Sequence, residues 1–396
     1  MSRVVFVNHL PQGSASSYRQ AGFAKCLRED GVETVLVCRS RKQRPPDDTA
    51  GRGRRPFDRT LCWDEPFPFR MASNLRVLSE AVREADVVHI NRANPYTATI
   101  LSLVRRSSRA ALVVDMEDWD GYGGYSSYIG SYGPKGWALT FYEKTFPLTA
   151  DAVVVVSRLL KSYMLSLGVP ERKVSVIHNG FDGELFGRKL DVGSTRERLG
   201  LGDSPVVMYS STFWEFERAQ HEAAFSALGL ISKEVPEARF LLTGKEESSV
   251  AQAIDASGVR GRVVRPGFVP REEFPQVMAA ADVALHIITR HPFHAASSPM
   301  IVPEYMAMGK PVVAPAIGEL TELLGGGAGV LVSDGDPGSL AAAAVRLLRD
   351  RDLRRGVGEA ARRKAWERYS YEAATGVLKR AYRGAVMSRG RGTRFP

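Results

Sequence analysis

Short runs of valine, isoleucine and leucine alternate along this chain with longer stretches in which apolar residues recur at helical spacing. Fully apolar runs are typical of strands that are buried on both faces of a parallel sheet, and the longer stretches are typical of the helices that cover those faces. The pattern predicts a first set of six strands, at 4–8, 34–37, 86–90, 111–115, 152–156 and 174–177. After a polar linker near 189–202 it predicts a second set, at 206–210, 239–242, 262–264, 283–287, 311–313 and 330–332.

Two such sets predict an α/β protein built from two doubly wound, Rossmann-like domains. Ligands of these folds bind at the carboxyl ends of the strands, so we expect a cleft between the ends of the two sheets. The length agrees with this organisation, because 396 residues exceed what one hydrophobic core usually serves. We place the first domain at 1–183 and the second at 184–372.

Composition and cysteine spacing indicate where the protein is located in the cell. Hydrophobic residues make up 44% of the chain, yet no apolar run approaches the ~18 residues that a membrane-spanning helix needs. The apolar run at 4–7 is too short for the core of a signal peptide. Cys26, Cys38 and Cys62 show no C-x-x-C spacing, which favours free thiols over disulfides or a zinc site. We therefore expect a cytoplasmic protein.

The segment 297–314 carries the clearest chemical pattern. Ser298 and Pro299 can begin a short apolar helix, and Gly309 can end it in the left-handed conformation. Pro303 is unusual inside a helix, so a start at Pro303 is the alternative. Amides at a helix start bind phosphate, and the carboxylate of Glu304 can accept hydrogen bonds from two neighbouring hydroxyls, as in a ribose. The other interpretation is an ordinary core helix with Glu304 at its edge.

This segment resembles the pattern E-x-x-P-x-x-x-x-E-Y/A-M-A-x-G-x-P-V-V-A of glycosyltransferase family 4, the retaining nucleotide-sugar enzymes with the GT-B fold. Glu304 takes the place of the second glutamate, and Ala296 stands where the first is expected. Weaker resemblances follow in family order at 151–157, 177–182, 266–269, 281–285, 316–320 and 369–372.

The resemblance implies a UDP- or GDP-sugar donor on the second domain, with Glu304 on the ribose, and a C-terminal helix, 373–396, that crosses back to the first domain. It implies no cofactor. We interpret the imidazoles of 286, 291 and 294 as part of the donor loop and not as a metal site. The other donor-binding candidates are Ser298, Met300, Ile301, Gly318 and Ser211.

The catalytic candidates depart from the family pattern. Arg218 and Lys245 are the basic residues nearest to the family's usual diphosphate-binding pair, although exposed basic residues at strand ends are also common. Glu117 stands where relatives often have a histidine. Glu117 or Asp118 could orient the acceptor hydroxyl, or they could be helix caps. The resemblance implies a retaining mechanism in which the departing phosphate helps to deprotonate the acceptor.

Acceptor-side candidates lie in glycine-rich segments of the first domain. Gly13 follows the first strand, and Tyr122 and Tyr125 stand in a loop at 121–132 that we expect to be flexible. Tyrosine offers an apolar face and a hydroxyl, which suits a sugar or a membrane interface. A loop packed on its own domain is the equally weighted alternative.

The formal net charge of +10 and a pI near 9.5 open further possibilities. Residues 39–59 hold eight Lys or Arg, and the tail from 375 is free of acidic residues. Such basic patches favour contact with an anionic membrane and hence a lipid-linked acceptor, although a merely solvated loop is the commoner explanation. A glycan or a small soluble metabolite is the alternative acceptor. A nucleic-acid-binding protein is a rival class, but no recognised motif accompanies the charge, so we expect no nucleic acid. A sugar epimerase on the same fold is another alternative.

Overall fold

The computed structural model describes residues 2–10, 15–39, 56–63, 70–104, 108–244, 248–267, 269–333, 335–390 and 395. The chain divides into two compact units. Unit 1 comprises 1–180, 296–298 and 371–396, and unit 2 comprises 181–295 and 299–370.

Unit 1 contains a seven-stranded parallel sheet of order β3-β2-β1-β4-β5-β6-β7. Its strands are β1 Arg3–Asn8, β2 Glu33–Arg39, β3 Arg59–Trp63, β4 Val87–Asn91, β5 Ala111–Met116, β6 Ala152–Val155 and β7 Val174–Val176. Its first six helices are α1 Ala15–Glu29, α2 Met71–Val82, α3 Pro95–Val104, α4 Tyr125–Tyr128, α5 Pro134–Thr145 and α6 Arg158–Ser166.

Unit 2 contains a six-stranded parallel sheet of order β10-β9-β8-β11-β12-β13. Its strands are β8 Val206–Ser210, β9 Arg239–Thr243, β10 Val263–Val264, β11 Val283–Leu285, β12 Val312–Pro315 and β13 Val330–Val332. The helices in this part of the chain are α7 Gly183–Phe186, α8 Val192–Arg198, α9 Arg218–Glu234, α10 Ser248–Ala256, α11 Phe274–Ala279, α12 Pro292–Ala296, α13 Ile301–Ala307, α14 Leu320–Leu324, α15 Pro337–Arg349 and α16 Arg351–Arg368.

Alternation along the strands explains why each sheet is covered on both faces. In β1, Val5 and Val7 enter one core, whereas Val4 and Phe6 enter the core on the opposite face, and all four are fully buried. The predicted doubly wound α/β class is confirmed, and each of the twelve predicted strands is present within a few residues of its expected bounds.

One strand was missed. β3 pairs with β2 at the sheet edge, and four of its five residues are at least partly exposed, so it lacks the apolar run by which the others were predicted. We assigned its first residue to the basic loop at 39–59. Residues 40–55 of that loop lie outside the described part of the chain.

A last helix, α17 Tyr371–Ser388, packs on α1, β5 and β6 of unit 1. Leu378 and Tyr382 on this helix are fully buried in the unit 1 core. On α1, a Cβ on Gly22 would lie 2.1 Å from the ring of Tyr371, so this contact requires glycine. Among the described helices, none is long and apolar enough to cross a membrane.

Candidate active site

Polar residues collect at the carboxyl ends of three neighbouring strands of unit 1. β1 ends at Asn8, β4 at Asn91, and β5 runs through Asp115 to Met116, with Glu117 and Asp118 directly after it. Because β4 lies between β1 and β5 in a parallel sheet, these ends meet at one edge. This is the edge at which doubly wound sheets bind ligands.

A buried arginine organises this edge. Arg19 on α1 is fully buried, and its guanidinium donates to both carboxylate oxygens of Asp115, at 2.8 and 3.3 Å. It also donates to the carbonyl oxygens of Ile177 and His178, at 2.8 and 2.9 Å. Burial alone would raise the pKa of Asp115, but Arg19 and His89 hold it below its ordinary value. Asp115 is therefore a fixed negative charge.

Glu117 is the titratable group of this edge. Its side chain is buried, accepts a hydrogen bond from Asn91 and lies 3.9 Å from Nε of Arg19. Burial and the charge of Asp115 raise the pKa of Glu117 to about 7, against the opposing effect of Arg92 and Arg19. A carboxyl group with this pKa can exist in either protonation state near neutral pH, as a general base or acid requires.

Asp118 is held by a strained arginine. Arg92 forms an ion pair with Asp118 and donates to Asp120 at 3.0 Å, and the hydroxyl of Ser297 donates to Asp118 at 3.5 Å. Arg92 has a φ of 60°, a conformation that L-residues adopt at a cost of ~1–3 kcal/mol and that clusters at functional sites. Burial raises the pKa of Asp118 to about 6, with Arg92 opposing the shift.

The segment after the two acids is folded, which corrects our expectation of a flexible loop. Glu143 on α5 accepts from the amides of Asp120 and Gly121, at 2.6 and 2.9 Å, and from the hydroxyl of Tyr163, at 3.0 Å. A Cβ on Gly124 would lie 2.1 Å from the carbonyl oxygen of Trp119, so the close approach requires glycine. The backbone behind Glu117 and Asp118 is thus fixed from α5.

The two tyrosine candidates belong to this folded segment. The amide of Tyr122 donates to the hydroxyl of Thr140 at 2.8 Å, and its own hydroxyl donates to the carbonyl oxygen of Tyr132 at 3.0 Å. Tyr125 begins α4, and its amide donates to the carbonyl oxygen of Trp119 at 2.7 Å. These three contacts make the tyrosines part of the segment's own packing.

In unit 2, Glu304 lies on α13 and is almost fully buried. Its carboxylate forms an ion pair with Arg271, whose guanidinium also lies over the ring of Phe186, 5.4 Å from the ring centroid. Arg271 was absent from our sequence-based candidates. Its presence gives this buried carboxylate a positively charged partner, as burial of an acid requires.

The start of α13 differs from both alternatives that the sequence offered. The helix begins at Ile301 after Met300, neither at Pro299 nor at Pro303. Pro303 is tolerated because it is in the first turn, where backbone amides have no partner within the helix. Gly309 has a φ of 65° and ends the helix as predicted.

Ser298 is not the helix cap that we expected. It belongs to unit 1, where its hydroxyl accepts from the amide of Asn179 at 3.2 Å and its carbonyl oxygen accepts from the side chain of Asn179 at 2.7 Å. Ala296, at the position of the missing glutamate, is fully buried in the unit 1 core. This position therefore serves packing.

Two other donor-side candidates have structural contacts. The hydroxyl of Ser211 accepts from the amide of Phe213 at 3.1 Å. Gly318 has a φ of 52°, and a Cβ there would lie 2.3 Å from the carbonyl oxygen of Ala295. Close backbone packing thus explains why this position is glycine.

Arg218 begins α9 in unit 2. It is exposed and forms ion pairs with Glu222 and Glu215, at 2.8 and 4.0 Å. It lines a cavity of about 270 Å³ whose described lining includes Trp214 and His221 but not Glu304, Ser211 or Gly318. Lys245 and Gly13 lie outside the described residues.

The sequence analysis also missed four residues at this edge of unit 1, Arg19, Asn91, Arg92 and Tyr382. Asn91 and Arg92 could have been found, because they follow directly on a predicted strand next to β5 in the sheet. Arg19 and Tyr382 gave no such signal, since both lie inside helices. Tyr382 reaches Asp115 through His89, with 2.7 Å from the Tyr382 hydroxyl to Nδ1 and 3.2 Å from Nε2 to Asp115.

Burial favours the neutral form of two histidines in unit 2, His286 and His294. Burial lowers the pKa values of His286 and His294 to about 4, and the side chain of His294 contacts that of Gln220 at 3.1 Å. Across the described ranges, no group of three or more His, Cys, Asp or Glu side chains is arranged to hold a metal ion.

Comparison with known protein families gives one match in each half of the chain. A model of the family described as Glycosyltransferase Family 4 matches 21–185, and one described as Glycosyl transferases group 1 matches 204–350, so that the two together cover well over half of the chain.

Individual relatives share only low sequence identity with this chain. The N-acetyl-alpha-D-glucosaminyl L-malate synthase of Bacillus anthracis is 24% identical over 311 residues, which are 77% of this chain and 76% of that protein. A GDP-mannose-dependent alpha-(1-6)-phosphatidylinositol monomannoside mannosyltransferase of Mycolicibacterium smegmatis is 31% identical over 229 residues, 56% of this chain and 59% of that protein. The crystal structure of Anabaena HepE in complex with UDP and glucose has a TM-score of 0.75 at 19% identity, covering 96% of this chain and 99% of that one.

Proposed function

The chain belongs to glycosyltransferase family 4 and has its GT-B fold, and from this premise we propose that it transfers a sugar from a UDP- or GDP-sugar to a hydroxyl acceptor with retention of configuration. Unit 2 binds the donor, with Glu304 on the ribose, and unit 1 binds the acceptor. Relatives support both classes of donor, since one is named as GDP-mannose-dependent and another was crystallised with UDP and glucose.

The observation that carries the acceptor half of the proposal is the environment of Glu117. This carboxyl group is buried at the ligand-binding edge of the unit 1 sheet, and its pKa is raised to about 7. It can accept a hydrogen bond from an acceptor hydroxyl when ionised. Asn91 donates a hydrogen bond to it, and the charges of Asp115, Arg92 and Arg19 set its pKa.

In the proposed reaction, the bond between the sugar and the diphosphate breaks while the acceptor hydroxyl attacks from the same face. The departing phosphate takes the proton of the hydroxyl, and Glu117 and Asp118 orient that hydroxyl. Fixed hydrogen-bond donors and positive charges at the diphosphate would stabilise the developing negative charge. Arg271, beside Glu304, is the described basic residue that we assign to the nucleotide end of the donor.

A thermal-shift screen with nucleotides and nucleotide sugars tests the donor assignment. We expect UDP- or GDP-sugars to raise the melting temperature, because a ligand that binds only the folded state stabilises it. Hydrolysis or transfer in the presence of simple sugar acceptors then tests the reaction, with the configuration of the product read by NMR. An inverted product would contradict the retaining mechanism, and stabilisation by neither nucleotide class would contradict the donor.

A further inference from the structure

The outer side of α5 presents large apolar side chains to solvent. Trp137 is 63% exposed and Phe141 47%, and Leu148, just beyond the helix, is 46% exposed. Residues four and seven apart along a helix lie on the same side, and the rings of Trp137 and Phe141 stack with centroids 5.6 Å apart and planes 15° apart. We call the exposed apolar side chains of Trp137, Phe141 and Leu148 the α5 face.

The exposed charges of the segment that forms the α5 face have one sign. Lys135 and Lys144 are exposed at its rim. From 134 to 148, a segment that the structure describes throughout, the single acidic residue is Glu143, which is buried on the inner side of the helix. An apolar centre with a basic rim is the pattern of helices that lie in the interface of an anionic bilayer.

We propose that the α5 face docks on anionic membrane. Trp137, Phe141 and Leu148 enter the boundary between headgroups and acyl chains, and Lys135 and Lys144 contact the acidic headgroups. A second copy of the chain fits less well, because a two-fold contact between two such faces would bring their lysines together with no exposed acid from this segment to neutralise them.

Docking of this helix would place the acceptor side of unit 1 at the membrane. The inner side of α5 holds the segment behind Glu117 and Asp118, through Glu143 to the amides of Asp120 and Gly121 and through Thr140 to that of Tyr122. This step rests on the proposed function and specifies its acceptor as lipid-linked, so that the acceptor hydroxyl arrives at the surface that the helix occupies.

Flotation of the full-length protein with phosphatidylcholine vesicles, with and without phosphatidylglycerol, tests the docking. We expect binding to the anionic vesicles that weakens at high salt. The variant Trp137→Ser/Phe141→Ser should bind them at least about tenfold more weakly, because two large apolar side chains no longer enter the interface. Lys135→Glu/Lys144→Glu should also weaken the binding.

The matched control is another exposed aromatic pair. Trp214 and Phe216 in unit 2 are 43% and 38% exposed and stack with centroids 6.0 Å apart. Trp214→Ser/Phe216→Ser should bind vesicles as the unmodified protein does. Circular dichroism and thermal melting establish that each variant is folded.

Four outcomes would overturn the proposal. The first is that folded Trp137→Ser/Phe141→Ser binds vesicles as well as the unmodified protein, and the second is that the unmodified protein does not bind them. The third is that the control pair loses as much binding as Trp137→Ser/Phe141→Ser. The fourth is that sedimentation shows Trp137→Ser/Phe141→Ser to dissociate a dimer while its vesicle binding is unaffected. Flotation needs neither donor nor acceptor. Intact flotation without transfer to any lipid-linked acceptor would therefore contradict the acceptor class and leave the docking standing.

Discussion

Glu117 shows how a single side chain can link the fold to the proposed chemistry. Removing a carboxylate from water favours its protonated form, and the neighbouring charge of Asp115 adds to that effect, while two arginines limit it. The balance places the pKa near neutral pH. The pKa of such a carboxyl group shifts when one of its charged neighbours is changed.

We expect kcat/KM to fall as pH decreases below about 7, because the ionised form of Glu117 orients the acceptor, and to fall more steeply below about 6, where Asp118 is protonated as well. Glu117→Gln should lower the rate by about 10–10²-fold, because one hydrogen bond to a charged group is lost, and should remove the limb near pH 7. The measurement is kcat/KM for the acceptor over a pH series at saturating donor. A Gln variant that keeps both the rate and the limb would show that another group titrates.

Glu304 allows a similar test on the donor side. Glu304→Gln keeps the shape of the side chain but removes a charged acceptor, which should weaken UDP or GDP binding by about 1.5–3 kcal/mol. Isothermal titration measures the affinity.

The ion pair with Arg271 requires a control for this experiment, because the substitution leaves a partly buried guanidinium without a charged partner. The double variant Glu304→Gln/Arg271→Gln removes that imbalance, and the single variant Arg271→Gln, measured beside it, gives the separate contribution of Arg271, which we also assign to the nucleotide. If both variants bind the nucleotide as tightly as the unmodified protein, Glu304 does not bind the ribose.

At the scale of elements, α5 fixes the backbone behind the two acids through one buried carboxyl. Burial and the charge of Asp120 raise the pKa of Glu143 to about 7 from an ordinary value of 4.5. Between these values the folded protein keeps a proton that the unfolded chain releases. The contribution of Glu143 to stability therefore decreases as pH rises through this range.

Glu143→Gln should remove that dependence, because an amide retains an acceptor oxygen but does not titrate. Relative to this variant, the unmodified protein should lose about 3 kcal/mol in its free energy of unfolding between pH values of about 4.5 and 7.5. Urea denaturation of both proteins at each pH measures the difference. A constant difference across the range would contradict a raised pKa.

The elements themselves could be predicted wherever local sequence determined them. Strands such as β8 and β13 have continuous apolar runs and were predicted with their observed bounds. β3 is an exposed edge strand, so its pairing with β2 depends on the neighbouring strand more than on its own residues.

The candidate site could be predicted only in part, for a related reason. Glu117, Asp118 and Glu304 stand at strand ends or in a recognisable helix, whereas Arg19 and Arg271 reach their partners from other elements. Arg19 is 96 residues from Asp115 along the chain. Contacts over such separations follow from the order of strands and the packing of helices, neither of which appears in the pattern of one segment.

At the scale of the whole molecule, the core of unit 1 is completed by the last helix of the chain. Leu378 on α17 is fully buried in that core, and α17 packs on β5 and β6. Leu378→Ala should therefore cost about 2–5 kcal/mol of the stability of unit 1. Hydrogen exchange of amides in β5 and β6 measures this loss.

Met387 provides the control on the same helix. It is 58% exposed, so Met387→Ala should leave the exchange of β5 and β6 unchanged within about 0.5 kcal/mol. Equal protection in both variants would contradict a role for α17 in the core of unit 1.

The interleaving of the two units along the chain has a consequence for making chimaeras. The chain passes between the units at 180/181, 295/296, 298/299 and 370/371. A gene fusion cut once, near residue 180, would give a hybrid whose unit 1 still carries the other parent's 296–298 and last helix. Exchange of acceptor-side units between two relatives must therefore transplant three pieces, including the short insertion that holds Ser297 beside Asp118 and Ser298 beside Asn179.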